Sequence, residues 1–178
     1  MGCRVQDTAE LSFTDVAVPV ANRLGEEGEA FGYLGHNLPH ERMTVAVGSV
    51  AQAPAAVTTT IEYVKERKAF GTPVASFQNT KFELAAMSAE IEAGQAMVDR
   101  AVSELVAGQL SVADAAKVKL FCTEMQGRVV DRCLQLFGGY GYMMEYPIAR
   151  LYTDARVARI YAGTSEVMKV IIAKSLGL

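Results

Sequence analysis

The sequence is short of the residues from which most metal and catalytic sites are built. It has two histidines, His36 and His40, and three cysteines, Cys3, Cys122 and Cys133. Three is an odd number, and no two of them stand at a metal-binding spacing. They read as free thiols of a reducing compartment, the bacterial cytoplasm or the mitochondrial matrix. The two histidines are four apart, but Pro39 lies between them and no acidic cluster completes a ligand set, which argues against a metal. Charge of one sign is missing too. The net charge is −3, without a long basic or acidic run, so a nucleic-acid partner is not expected. No apolar run approaches the roughly 20 residues that cross a bilayer, and no membrane span is expected. The opening MGCRVQDTAELSF lacks the basic and apolar regions of a signal peptide. Internal repeats and low-complexity tracts are absent.

What is present is apolar and periodic. Hydrophobic residues make up 51% of the 178, enough for one well-packed domain. Residues 10–18, ELSFTDVAV, are β-branched and aromatic and are closed by Pro19, which reads as the end of a strand region. LGEEGEAFG, 24–32, reads as a loop. Helical periodicity dominates from there. The first helix is expected from about Pro39 to Phe70, with Asn37 as N-cap, Arg67 and Lys68 at its C-terminal dipole and Gly71 as its stop. Pro54 inside it should introduce a kink. A second helix begins near Ser76 and ends at Gly108, with the stripe Leu84, Met87, Ile91, Val98, Val102 and Leu105. The third opens on Ser111-Val112-Ala113-Asp114, close to a capping box. Its stripe is Ala115, Val118, Cys122, Met125, Val129 and Leu136, and Gly138-Gly139 stops it. A short helix is expected over 147–152. A last one follows the N-cap Thr164 and carries Val167, Val170, Ile171 and Lys174. Long helices joined by short loops predict an all-α fold, an antiparallel four-helix bundle.

Three polar stretches stand out. In HNLPHERM, 36–43, Glu41 falls in the first turn of the expected first helix. A carboxylate there is often only a dipole partner, worth roughly 0.3–1 kcal/mol, though it also suits an acid or base. QLFGGYGY, 135–142, contains GGxG but follows a helix. A dinucleotide fingerprint needs a preceding strand, so this reads as a helix C-cap and turn. RKAFG, 67–71, reads as a basic helix end capped by glycine.

Taken together these stretches are far more specific than any one alone. YVKERKAFGTPVASFQNTKFELA, 63–85, followed by QLFGGYGYMMEYPIARLYTDARVARIYAGTSEVMKVIIA, 135–173, resembles the C-terminal part of the acyl-CoA dehydrogenases. DTAELSFTDVAVPVANRLGEEGEAF resembles the last strand and exit loop of that family's middle β domain. The resemblance implies that residues 1–28 are a short β remnant of that domain, that 29–178 form the C-terminal helical bundle, and that the chain is part of a longer enzyme. It implies FAD as cofactor, an acyl-CoA thioester as substrate and electron-transfer flavoprotein as the acceptor of electrons. The product that the resemblance implies is the trans-2-enoyl-CoA.

Many members carry the catalytic base as a glutamate in a YEGT segment. Here the segment is YAGT, and Ala162 cannot accept a proton. Members resembling the long-chain and isovaleryl branches place the base on the first bundle helix instead, in an LxxER pattern. Leu38-Pro39-His40-Glu41-Arg42 matches it, so the resemblance assigns the base to Glu41. It also implies substrate contacts at Tyr33, Arg42, Ala162 and Gly163, with the Ala162 N–H on the thioester oxygen. For the cofactor it implies Arg67, Phe70, Gln78, Gln135, Gly138 and Gly139 on the FAD of a neighbouring subunit, and Thr164 and Glu166 on the subunit's own. Sharing of this kind implies a homo-oligomer, usually a tetramer. A second reading is a non-catalytic helical subunit that completes a partner's FAD site. A third keeps the fold but changes the reaction, as in flavin monooxygenase relatives.

Overall fold

The core of the molecule is built on one helix, α3, Val112–Phe137. The computed structural model describes residues 1–178, and in it Ala115, Val118, Cys122, Met125 and Val129 are fully buried along one face of α3. Ser111 starts this helix as expected. Its hydroxyl accepts from the Asp114 N–H at 3.0 Å and donates to the Asp114 carboxylate at 2.6 Å. Gly138, at φ 59°, ends it. Around α3 pack α1, Ala30–Glu66, α2, Gln78–Val106, a short α4, Pro147–Ala155, and α5, Ser165–Ser175.

Side-chain contacts give the directions. The Gln126 amide donates to Gln52 and the Tyr63 hydroxyl donates to the Phe137 carbonyl. Both pairs are 74 apart in sequence, so α1 and α3 run parallel in a fixed register. On α2 the order reverses: Cys122 meets Gly94 and Cys133 meets Met87. α2 is thus antiparallel to both α1 and α3. All three cysteines are free, and burial pushes the Cys122 thiol up to about 12.

Several expectations are corrected. The first helix starts at Ala30, not Pro39, and the residue before it, Glu29, provides no side-chain cap. Asn37 is therefore no N-cap, and His36, Pro39 and Pro54 all lie inside the helix. Residues 30–37 are exposed, so no burial pattern marks this first stretch. Glu41 then lies about three turns from the helix start, beyond the reach of the N-terminal dipole.

The helix also ends early, at Glu66. Lys68–Ala69 (β1) pairs antiparallel with Thr72–Pro73 (β2) across Phe70-Gly71. Phe70 and Gly71 have φ of 53° and 80°. A two-residue turn with both φ positive is the hairpin type whose twist matches its strands. Gly71 thus turns a hairpin and caps no helix.

Residues 10–18 form no strand. A strand is stabilised by neighbours on a sheet, and no other segment of the chain lies alongside to pair with them. The only sheet is the hairpin. Val102 is exposed because the buried stripe of α2 runs through Val98 and Ala101. On α5 the buried residues are Ser165 and Met168, whereas Val167 and Val170 face outward. The Ser165 hydroxyl bonded to Glu124 at 2.6 Å fixes that rotation.

Candidate active site

The YAGT loop joins α4 to α5 and is held from below by two cations. Arg42 of α1 is 5% exposed, and its Nε donates to the Ala162 carbonyl at 3.3 Å. Lys119 of α3 is fully buried, and its Nζ donates to the Gly163 carbonyl at 2.8 Å. Burial pulls both groups below their usual range. Glu41 opposes this for Arg42, and Glu124 opposes it for Lys119. The loop itself is bent unusually: Ala162 has φ 53° and Gly163 has φ 98°. The left-handed region costs a non-glycine residue roughly 1–2 kcal/mol. The Ala162 and Gly163 N–H groups make no hydrogen bond within the chain. Glu41 neighbours Arg42 on α1 and is exposed. The structure therefore brings the Glu41 segment, Ala162 and Gly163 together through Arg42. Tyr33 is further off, roughly 12 Å along the α1 axis from Glu41. It is 46% exposed, and its hydroxyl accepts from the Glu26 N–H at 3.1 Å.

At the other end of α1 a second set converges. A cavity of about 450 Å³ is lined by Tyr63, Arg67, Gln135, Gly138, Gly139 and Tyr140 among others. The Tyr63 ring stacks on Phe137 at 4.0 Å, which joins α1 to the end of α3. The Arg67 guanidinium lies 5.3 Å from the centre of the Tyr140 ring. A Cβ added at Gly138 or Gly139 would meet nothing within 4 Å, so the backbone there borders open space. Gly141 is different. Its Cβ would sit 2.5 Å from the Leu134 carbonyl oxygen. Gly141→Ala should lower the unfolding midpoint by an amount equivalent to roughly 1–3 kcal/mol of overpacking. Thermal unfolding followed by circular dichroism checks this, and an unchanged midpoint would show that the corner yields freely.

Phe70 and Gln78 lie outside that cavity. Phe70 is 99% exposed at the hairpin tip, against only the edge of Phe77. Gln78 is the exposed first residue of α2. Thr164 caps α5 by accepting from the Val167 N–H at 3.3 Å. The Glu166 carboxylate is held below its usual range by its own backbone N–H and by the Thr164 hydroxyl. The start of α5 thus already carries one carboxylate, complementary to the positive end of the helix dipole.

Sequence reading missed Lys119, and also Glu124, whose carboxylate accepts from the Ser165 hydroxyl at 2.6 Å and from the Arg159 guanidinium at 3.4 Å. One signal was available: Lys119 is four residues after Ala115 and three before Cys122, on the buried stripe itself.

The family model for the acyl-CoA dehydrogenase C-terminal domain matches residues 28–177. The long-chain specific acyl-CoA dehydrogenase of rat mitochondria is 43% identical over 176 residues, 99% of this chain and 41% of that protein. Among solved structures, an acyl-CoA dehydrogenase from Geobacillus kaustophilus superposes with a TM-score of 0.90 at 48% identity, covering 93% of this chain and 44% of the other. A glutaryl-CoA dehydrogenase from Mycobacterium smegmatis, solved with FADH2, has a TM-score of 0.75 at 27% identity over 78% of this chain and 36% of its own. The chain spans about two fifths of the length of the relatives it matches. On the match over nearly all of its residues, the chain belongs to the acyl-CoA dehydrogenase family, as a C-terminal helical domain.

Proposed function

We propose that this chain forms the C-terminal part of an FAD-dependent acyl-CoA dehydrogenase, with Glu41 as the base that removes the α-proton of the thioester. The observation that carries the reading is the bond from Arg42 to the Ala162 carbonyl. It ties the LxxER segment of α1 to the YAGT loop, whose Ala162 and Gly163 N–H groups are unbonded, and Glu41 is the neighbour of Arg42 on that segment. Deprotonation of a thioester needs a base beside Cα and donors on the carbonyl oxygen, where charge develops. Glu41 supplies the first and the Ala162 N–H the second, a role for which alanine needs no side chain.

The donors at the glycine corner fit an adenine dinucleotide. Arg67 offers a forked cation for a pyrophosphate, Gln135 an amide, and Gly138 and Gly139 a bare backbone that permits close approach. When bound, FAD supplies the acceptor for the β-hydride. Glu41 and Arg67 stand roughly 40 Å apart along α1, farther than one dinucleotide reaches. That separation supports a reading in which the two clusters serve two cofactors, in a homo-oligomer where Arg67, Phe70 and Gln78 reach a neighbour's FAD. Thr164 and Glu166 border the subunit's own FAD at the N-terminus of α5, where free N–H groups favour an anion. Residues 1–28 belong with the middle β domain, which would cover Leu11, Phe13, Val16 and Val18, all exposed here. Electron-transfer flavoprotein would reoxidise the enzyme.

The test is anaerobic. A panel of acyl-CoAs of different length and branching is mixed with the complete, FAD-loaded enzyme, and flavin absorbance is followed. Bleaching by at least one saturated acyl-CoA is expected. A flavin that stays oxidised with every member of the panel would sink the dehydrogenase reading in favour of a non-catalytic subunit.

A further inference from the structure

Lys119 is a costly residue to bury. It is fully enclosed within α3, makes no ion pair, and has one hydrogen bond, to the Gly163 carbonyl at 2.8 Å. Glu124 acts on it only from beyond ion-pair distance, and an ammonium group taken out of water costs several kcal/mol, so that apolar side chains of similar volume commonly stabilise a fold better. A tie between α3 and the α4–α5 loop does not require a charge. Arg42, also buried, adds a second cation beneath the same loop.

We infer that Lys119 is a positioning residue for thioester activation: by pinning the Gly163 carbonyl from inside α3 it holds the strained Ala162–Gly163 backbone, and with it the free Ala162 N–H, in place for the thioester oxygen. This rests on the dehydrogenase reading above. The loop needs a lock because Ala162 sits at φ 53°, a conformation that a non-glycine residue leaves when nothing holds it. Trans peptides are planar, so carbonyls turned toward Arg42 and Lys119 turn the Gly163 and Thr164 N–H groups away from the cations. With the Ala162 carbonyl held by Arg42 and both backbone dihedrals of the residue held by the locked loop, the direction of its own N–H is fixed too. The positive charge behind the loop acts in the same sense. It lies in a desolvated place near the oxygen on which negative charge develops, where a fixed charge needs no rearrangement during the reaction.

The experiment separates enolate stabilisation from turnover and from folding. A 3-thia-acyl-CoA has an acidified Cα–H and a sulfur in place of Cβ. The base can take its proton, but no hydride can follow. The bound enolate is seen as a long-wavelength charge-transfer band with oxidised flavin, and its pH titration gives the apparent pKa of the bound ligand. In the complete FAD-loaded enzyme, Lys119→Met should raise that pKa by at least one unit, a tenfold loss of enolate stabilisation. Affinity for a CoA thioether lacking the carbonyl, and FAD content, should stay within about twofold, since neither uses the thioester oxygen. A titration unchanged by Lys119→Met overturns the role. So does an equal loss of affinity for the thioether, which would mark a purely structural lysine. If Lys119→Met yields no folded enzyme, Lys119→Gln decides. It keeps a donor for the Gly163 carbonyl but loses the charge, and at least a threefold loss is expected, with parental enolisation counting against the role. A parent enzyme that shows no enolate band fails the underlying dehydrogenase reading, and this inference with it.

Discussion

Glu41→Gln is expected to leave FAD and acyl-CoA bound and to slow anaerobic flavin reduction by roughly 10²–10⁴-fold, the usual cost of losing a general base. Glutamine keeps the size and polarity of the side chain but cannot take the α-proton. No carboxylate of the YAGT loop can substitute, because its second residue is Ala162. Adding Ala162→Glu should restore part of the rate, since Arg42 holds that loop against the helix that carries Glu41. Recovery should be incomplete, because residue 162 sits at φ 53° and a longer side chain must fit there without disturbing the loop. The measurement is stopped-flow bleaching with a saturating acyl-CoA. Parental rates in Glu41→Gln would remove the base assignment. A double variant that binds substrate normally yet recovers nothing would show that the two positions do not address one Cα.

Arg67→Ala should weaken FAD retention by roughly 10- to 150-fold and loosen the assembly with it. The magnitude follows from one charge-assisted hydrogen bond, worth roughly 1.5–3 kcal/mol. Arg67 has extended backbone just after α1, and its guanidinium already lies over Tyr140, 5.3 Å from the ring centre. Little ordering remains to be done on binding, so most of the bond energy is available. Arg67→Lys should fall between the two, because an ammonium keeps the charge but not the fork. Dilution followed by gel filtration with flavin absorbance reads both effects at once. Retention of FAD by the alanine variant equal to the parent's would disprove the cross-subunit contact.

The helical architecture could be read from the sequence wherever burial was periodic. Ala115, Val118, Cys122, Met125 and Val129 mark α3 by spacing alone, and Ser111 and Thr164 mark helix starts by chemistry. The start of α1 was hidden for the opposite reason. Residues 30–37 are exposed, and Asn37 with Pro39 carries the marks of a helix beginning inside a helix that has already begun. The Phe70-Gly71 turn was hidden because glycine after a basic helix end serves equally as a C-cap or in a hairpin. At the site, Glu41 and Ala162 became legible only through family resemblance, since a lone exposed carboxylate has no pattern of its own. Lys119 escaped because a lysine is expected in water, and only its place on the buried stripe of α3 contradicts that.

The two prolines inside α1 bear on how the chain folds. Each removes one backbone donor, so α1 consists of three stretches that propagate poorly into one another. None exceeds the roughly 12–15 residues at which an isolated helix is marginal in water. α2 and α3 have no such interruption and are joined by a short loop, so their contacts are closer in sequence than those between α1 and α3. α1 is therefore a poor nucleus. It gains its continuity from the surface of α3, and the segment that carries Glu41 is ordered only once that surface exists.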